Sequence, residues 1–138
     1  MSADTAPTAV LDASALIALV YQETGFQKVR NAVARGAIVS AVNWAEVLSD
    51  MAERGESSGL AAPRVTRLVA AVGSLMIVPF EHDQAVEVAR LRPLTKSLGL
   101  SLADRACLGL ARLRRLPAFT TDRIWRTLHL PIKVEVIR

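Results

Sequence analysis

Residues 9–22 read Ala-Val-Leu-Asp-Ala-Ser-Ala-Leu-Ile-Ala-Leu-Val-Tyr-Gln. The first three are apolar without alternation, as in a strand buried on both faces. Asp12 breaks the run, and from Ser14 to Gln22 the pattern is that of a helix. A short buried strand passing straight into a helix is the opening unit of a parallel α/β sheet. The unit recurs along the chain. Ala37–Ser40, Met76–Phe80 and Ala118–Thr120 read as further strands, and Ile132–Ile137 as a fifth, placed at an edge because Pro131 precedes it. Helices are predicted over 25–34, with Thr24 as its cap, and over 43–53 and 60–75. Three more are predicted from Asp83 to near Pro93, from Ser101 to Leu116, and over 122–128. In the helix from Ser101, Leu102, Ala106, Leu110 and Leu113 form the expected apolar stripe. The pattern predicts an α/β fold, a three-layer α/β/α sandwich with a central, mainly parallel sheet. No linker or repeat divides the chain, so 1–138 is expected to be one domain, with 1–7 a flexible N-terminal extension.

Composition narrows the function classes. One cysteine, Cys107, cannot form an internal disulfide, which fits a reducing, cytoplasmic setting. No run of about 18 apolar residues is present, so no membrane-spanning helix is expected. The N-terminal residues lack the basic and apolar regions of a secretory signal. The formal net charge of +4 is unevenly spread. Residues 105–138 hold eight basic and two acidic side chains, whereas 1–104 carry a slight acidic excess. Of the 17 basic residues 14 are arginine, the better bidentate phosphate ligand. Arg112, Arg114 and Arg115 are the expected phosphate contacts in this basic quarter, although neighbouring helical positions diverge.

Ligands of parallel sheets bind at the carboxyl ends of the strands. Asp12 follows strand one, Asp122 follows strand four, and Glu46 lies in the first turn after strand two. Asp104 joins them if residues 93–100 climb back to that rim. Singly, each acid also reads as a helix cap: Asn43-x-x-Glu46 and Ser101-x-x-Asp104 both approach a capping box. Jointly they read differently. Two carboxylates about 4 Å apart repel by roughly 4 kcal/mol at an effective dielectric near 20. Several gathered together call for a cation, and an all-oxygen set suits Mg²⁺ or Mn²⁺. Ser14 and Thr121 stand beside Asp12 and Asp122, where a hydroxyl could orient a carboxylate. Cys107 reads as core. Neither His82 nor His129 belongs to a metal motif.

Four stretches carry a resemblance: Val10–Ala18, Asn43-Trp-Ala-Glu-Val47, Ser101-Leu-Ala-Asp-Arg-Ala-Cys107 and Thr120-Thr-Asp-Arg-Ile-Trp125. In this order and spacing they resemble the PIN-domain family, and within it the VapC-type ribonuclease toxins of toxin–antitoxin pairs. The resemblance implies a PIN-like fold and an Mg²⁺-dependent endoribonuclease, with Mn²⁺ as a substitute ion. It implies that Asp12 and Asp104 bind the metal most directly, that Glu46 completes the site and that Asp122 is the fourth acid. It also implies an RNA substrate, a homodimer, and a cognate VapB-type antitoxin. The antitoxin is expected to cover apolar surface left on the helices near 15–21 and 45–75. Other readings of the same residues are a catalytically silent binding protein of this fold, an aspartate-nucleophile phosphatase and a phospho-receiver. The phosphatase normally carries an acid at position 14, where this chain has Ser14, and the receiver a lysine closing its last strand, whereas Lys133 opens it.

Overall fold

The computed structural model describes residues 6–138, so residues 1–5 of the expected extension lie outside the described residues. Five strands form one sheet: β1 (Ala9–Leu11), β2 (Ala37–Ser40), β3 (Leu75–Val78), β4 (Ala118–Thr120) and β5 (Val134–Val136). Their order is β3-β2-β1-β4-β5, and all four pairings are parallel. β5 lies at an edge, as Pro131 predicts. Among the described residues, six helices accompany them: α1 (Ala13–Tyr21), α2 (Phe26–Ala34), α3 (Ala41–Glu53), α4 (Ser58–Val72), α5 (His82–Thr95) and α6 (Leu102–Arg114). Short 3-10 turns span Lys96–Leu98 and Arg123–Thr127.

Strand pleating splits the core in two. Ala9, Leu11, Ala37 and Phe119 face α1 to α4 in one cluster. Val10, Ile38, Val78 and Ala118 face α5, α6 and Trp125 in the other. Every residue of β1, β2 and β4 is buried, which is why these strands read as unbroken apolar runs.

Several local expectations shift. The second helix begins at Phe26 with Gly25 rather than Thr24 at its cap. Gly25 has φ 90, and a Cβ there would run into the Ile137 carbonyl. The third helix starts at Ala41 and is capped by Ser40, whose Oγ accepts from Val42 N at 3.2 Å. Asn43 is therefore an interior helix residue and not a cap. Leu75, expected on the fourth helix, belongs to β3. α5 runs through Pro93 to Thr95, whose Oγ1 donates to the Leu91 carbonyl at 2.9 Å. The apolar stripe of α6 is rotated from the one expected. Ala103, Ala106, Cys107, Leu110 and Ala111 are buried, whereas Leu102 is 57% exposed. The apolar surface lies partly where expected. Leu60 on α4 is 63% exposed, whereas residues 15–20 are core, and Met76 and Ile77 on edge strand β3, with Val86 and Leu94 on α5, are further exposed apolar side chains.

Candidate metal centre

The strand order reverses between β1 and β4, and such a crossing leaves a crevice at the carboxyl ends of the strands. Asp12 sits there. It follows β1 directly, is 5% exposed, and caps α1 by accepting from Ala15 N at 2.8 Å. Ser14 Oγ donates to Asp12 Oδ1 at 2.7 Å, and Thr120 Oγ1 donates to Oδ2 at 2.5 Å. Both carboxylate oxygens are thus held by fixed donors. Burial nevertheless pushes the Asp12 carboxyl up to about 6, the three hydrogen bonds opposing that rise and nearby Asp104 adding to it.

Asp104 arrives from the other layer. Residues 96–100 return the chain to the carboxyl-end rim, where Ser101 and Asp104 form a complete capping box: Ser101 Oγ accepts from Asp104 N at 3.1 Å, and Asp104 Oδ2 accepts from Ser101 N at 2.9 Å. Glu46 lies in the second turn of α3 at the surface. Partial desolvation raises its carboxyl, the Asn43 amide opposes that, and Asp104 raises it further. Asp12, Glu46 and Asp104 therefore share one field. Directly beneath, the buried Cys107 thiol is pushed far up by desolvation and by the same three acids, so it stays protonated and inert, as core.

Asp122 is set apart from this trio. It is exposed and caps the Arg123–Thr127 turn, accepting from Ile124 N at 3.0 Å. Its link to the trio runs through Thr120, whose Oγ1 accepts from Asp122 N at 3.1 Å. The orienting hydroxyl here is Thr120 rather than Thr121. Thr121 contributes its backbone N–H, which donates to Ser14 Oγ at 3.0 Å. Pairing register explains the exchange. Leu11 lies opposite Phe119, so the next pair along is Asp12 and Thr120.

Asn43 is the other residue missed as part of the site. It is 1% exposed and ties α3 to α6, its Nδ2 donating to Ala103 O at 3.0 Å and to Glu46 Oε1 at 3.3 Å. Its Oδ1 is buried without a partner.

Among the described residues, no three His, Cys, Asp or Glu side chains stand close enough to grip one ion. Each carboxylate of the trio is held by a local donor of its own: Asp12 by Ser14, Ala15 N and Thr120, Glu46 by Asn43, and Asp104 by Ser101 N. The donor chemistry still fits a hard divalent cation: carboxylates from β1, α3 and α6, one of them fully buried and all raising or raised by another. Asp12, Asp104 and Glu46 are the residues that would hold it.

The arginines expected to meet RNA lie away from these acids. α6 spans 13 residues, about 20 Å, with Asp104 in its first turn and Arg112 and Arg114 in its last. Arg112 is engaged by Glu87, Nη1 to Oε2 at 3.3 Å. Arg114 and Arg115 are exposed, and Arg115 forms the left-handed C-cap at φ 56.

The fold has solved relatives. The chain is similar to VapBC2 from Rickettsia felis bound to a DNA fragment of its promoter (11% identity, TM-score 0.71, covering 93% of this chain and 97% of that one). It is similar to a toxin–antitoxin complex from Klebsiella pneumoniae (22%, 0.68, 95% and 98%). VapBC-5 from Mycobacterium tuberculosis, of the VapBC family of toxin–antitoxin systems, is also similar (23%, 0.58, 96% and 99%). No curated protein matches the chain in a sequence comparison. The family model for the PIN domain matches residues 9–129, nearly the whole described chain, and this protein belongs to that family.

Proposed function

We propose that the protein is a divalent-metal-dependent endoribonuclease, the toxin of a toxin–antitoxin pair. The observation that carries the reading is the buried carboxylate of Asp12 at the switch point of a parallel sheet, with Asp104 near enough to it and to Glu46 for its charge to raise both carboxyls. The family match and the toxin–antitoxin character of the structural neighbours support it. Mg²⁺, with Mn²⁺ as a substitute, is the ion these oxygens suit. Such an ion supplies a water acidified for attack and charge to offset that growing on a phosphate.

The chain's own residues prepare the ground for that chemistry. Ser14 and Thr120 fix both oxygens of Asp12. Asn43 fixes Glu46 against α6, and Ser101 fixes Asp104. Asp122, set apart from the trio and linked to it through Thr120, is the proposed fourth acid. No side-chain nucleophile is required: Cys107 is buried and protonated, and the Ser14 hydroxyl is held as a hydrogen-bond donor to Asp12. The aspartate-nucleophile phosphatase fares worse, because Ser14, standing where its second acid belongs, serves as a hydrogen-bond donor.

The partners we propose are an RNA substrate, a VapB-type antitoxin and a second copy of the chain, in the cytoplasm. Among the described residues no helix is long and apolar enough to cross a membrane.

The test is direct. The purified chain, free of antitoxin, is incubated with total RNA and Mg²⁺, and new 5′ ends are mapped. Discrete cleavage is expected, abolished by chelator and by Asp12→Asn or Asp104→Asn in variants that still fold. Equal cleavage by the wild type and both variants would refute the assignment.

A further inference from the structure

A cavity of about 330 Å³ opens beside the carboxylates, lined among others by Ser14, Glu46 and Thr121. Its outer wall holds two acids, Glu23 and Asp50, and two guanidiniums, Arg54 and Arg138. Resting on the ribonuclease reading, we propose that Arg54 and Arg138 are positioning residues that grip the RNA phosphates flanking the scissile one.

The two arginines come from opposite ends of the fold. Arg54 is the C-cap of α3, about two turns beyond Glu46 on the same helix. Arg138 follows β5 and is delivered by the close approach of Ile137 to Gly25, where only glycine leaves room. They meet on one carboxylate: Arg54 Nη2 lies 3.5 Å from Glu23 Oε2, and Arg138 Nη1 lies 3.8 Å from Glu23 Oε1. Arg54 also donates Nε to Asp50 at 3.1 Å and stacks on the Tyr21 ring at 4.2 Å. A plain i,i+4 pair with Asp50 would leave Arg54 along α3. Instead Glu23 and Tyr21 draw it across to the loop after α1, over the cavity.

Charge explains why cations belong there. With Glu23, Glu46 and Asp50 alone, the wall would repel a polyanion. The two guanidiniums nearly neutralise it. The pairs that hold them are partly exposed and mostly long, so each contributes little, and exchange of a carboxylate for a phosphate costs little. A guanidinium meets a phosphate with two parallel N–H donors, the stronger arrangement. Glu23 and Asp50 thus keep both forks pointed at the cavity until RNA takes them over. The basic end of α6 lies too far from the acids to serve the scissile phosphate.

The test uses the full chain and an unstructured RNA oligonucleotide. Binding is measured by fluorescence anisotropy in chelator across a KCl series, and cleavage kinetics in Mg²⁺. For Arg54→Ala/Arg138→Ala, the slope of log affinity against log salt is expected to fall by about 1.4, since each phosphate of a single strand that goes unneutralised takes away about 0.7. KM should rise about tenfold or more with kcat nearly kept. Arg54→Lys/Arg138→Lys should recover most of the slope. Arg35→Ala, which removes a charge at the far end of α2, should change neither. Arg138→Ala alone, whose side chain touches Glu23 and the Thr24 carbonyl, serves where loss of Arg54 loosens α3. Wild-type cleavage with an unchanged slope and KM in the double variant would overturn the clamp and leave the ribonuclease reading standing. An equal effect of Arg35→Ala would overturn it likewise. A wild type that neither binds nor cleaves RNA would overturn both.

Discussion

Thr120 and Asp12, 108 residues apart, share a hydrogen bond of 2.5 Å from Thr120 Oγ1 to Asp12 Oδ2. It joins the end of β4 to the end of β1 and stabilises the charged form of a carboxyl that burial drives toward neutrality. Much of the protein's behaviour should follow from that tension.

Asp12 has a folded pKa of about 6, above its unfolded value. A group shifted upward contributes stability below the unfolded carboxylate range and loses it as pH rises through the folded value. In chelator, the contribution of Asp12 should therefore fall between about pH 3.8 and 6 and level off above that. Asp12→Asn should gain on the wild type across that interval, by up to about 3 kcal/mol once pH exceeds 6. Thermal melts across that range decide the point. Curves that stay parallel would mean that Asp12 is not strained by its burial.

Divalent metal should reverse that ranking. A ligand held only by the native state adds about 2.7 kcal/mol at a hundredfold excess over its Kd. Mg²⁺ or Mn²⁺ should raise the melting temperature of the wild type, and Asp12→Asn or Asp104→Asn should lose the rise. A rise of equal size in all three would place the ion elsewhere.

Asn43 stitches α3 to α6 from a position that water barely reaches. Asn43→Ala leaves the Ala103 carbonyl and Glu46 without their donor, and a buried group so orphaned costs about 1–3 kcal/mol. Asn43→Asp should be worse, because it sets a carboxylate against Glu46 and a carbonyl. Urea unfolding of both variants tests the order. The reverse order would remove Asn43 from the support of the site.

Glu87, 5% exposed, anchors Arg90 at 2.6 Å and Arg112 at 3.3 Å. Its pKa is lowered, first by the Arg90 hydrogen bond and also by the charges of Arg90 and Arg112. A lowered group contributes stability above its unfolded pKa and loses it as pH falls through the folded value. Glu87→Gln should cost about 1–3 kcal/mol at neutral pH. In acid, below the ordinary glutamate range, the two proteins should converge. A difference that persists unchanged in acid would assign the cost to packing beside Gly109, which the Glu87 side chain approaches, and not to charge.

Part of this was legible in the chain. β1, β2 and β4 are buried on both faces, so their runs of apolar residues stand out, and β2 and β4 have the bounds that their sequence suggests. Ser101 and Asp104 form the capping box their spacing implies. Less visible were elements whose limits depend on neighbours. Ser40 ends a strand and caps a helix at once, which moves Asn43 from a cap into the interior. Leu102, apolar by type, is solvent-exposed because α6 turns its alanine-rich side inward against the sheet and α5.

The order of residues along the chain dictates the alternation of strand and helix, and with it a parallel sheet whose strand-to-helix connections and following helix turns carry Asp12, Glu46 and Asp122 to one end. Local period and connectivity suffice for that, because each strand must re-enter the sheet in the same direction. Three features came from folding in space alone: the register that sets Thr120 against Asp12, the return of residues 96–100 that brings Asp104 to the same rim, and the arrival of Arg138 beside Arg54. Each joins residues far apart in the chain. They are chosen by how the layers pack, and no local pattern encodes them.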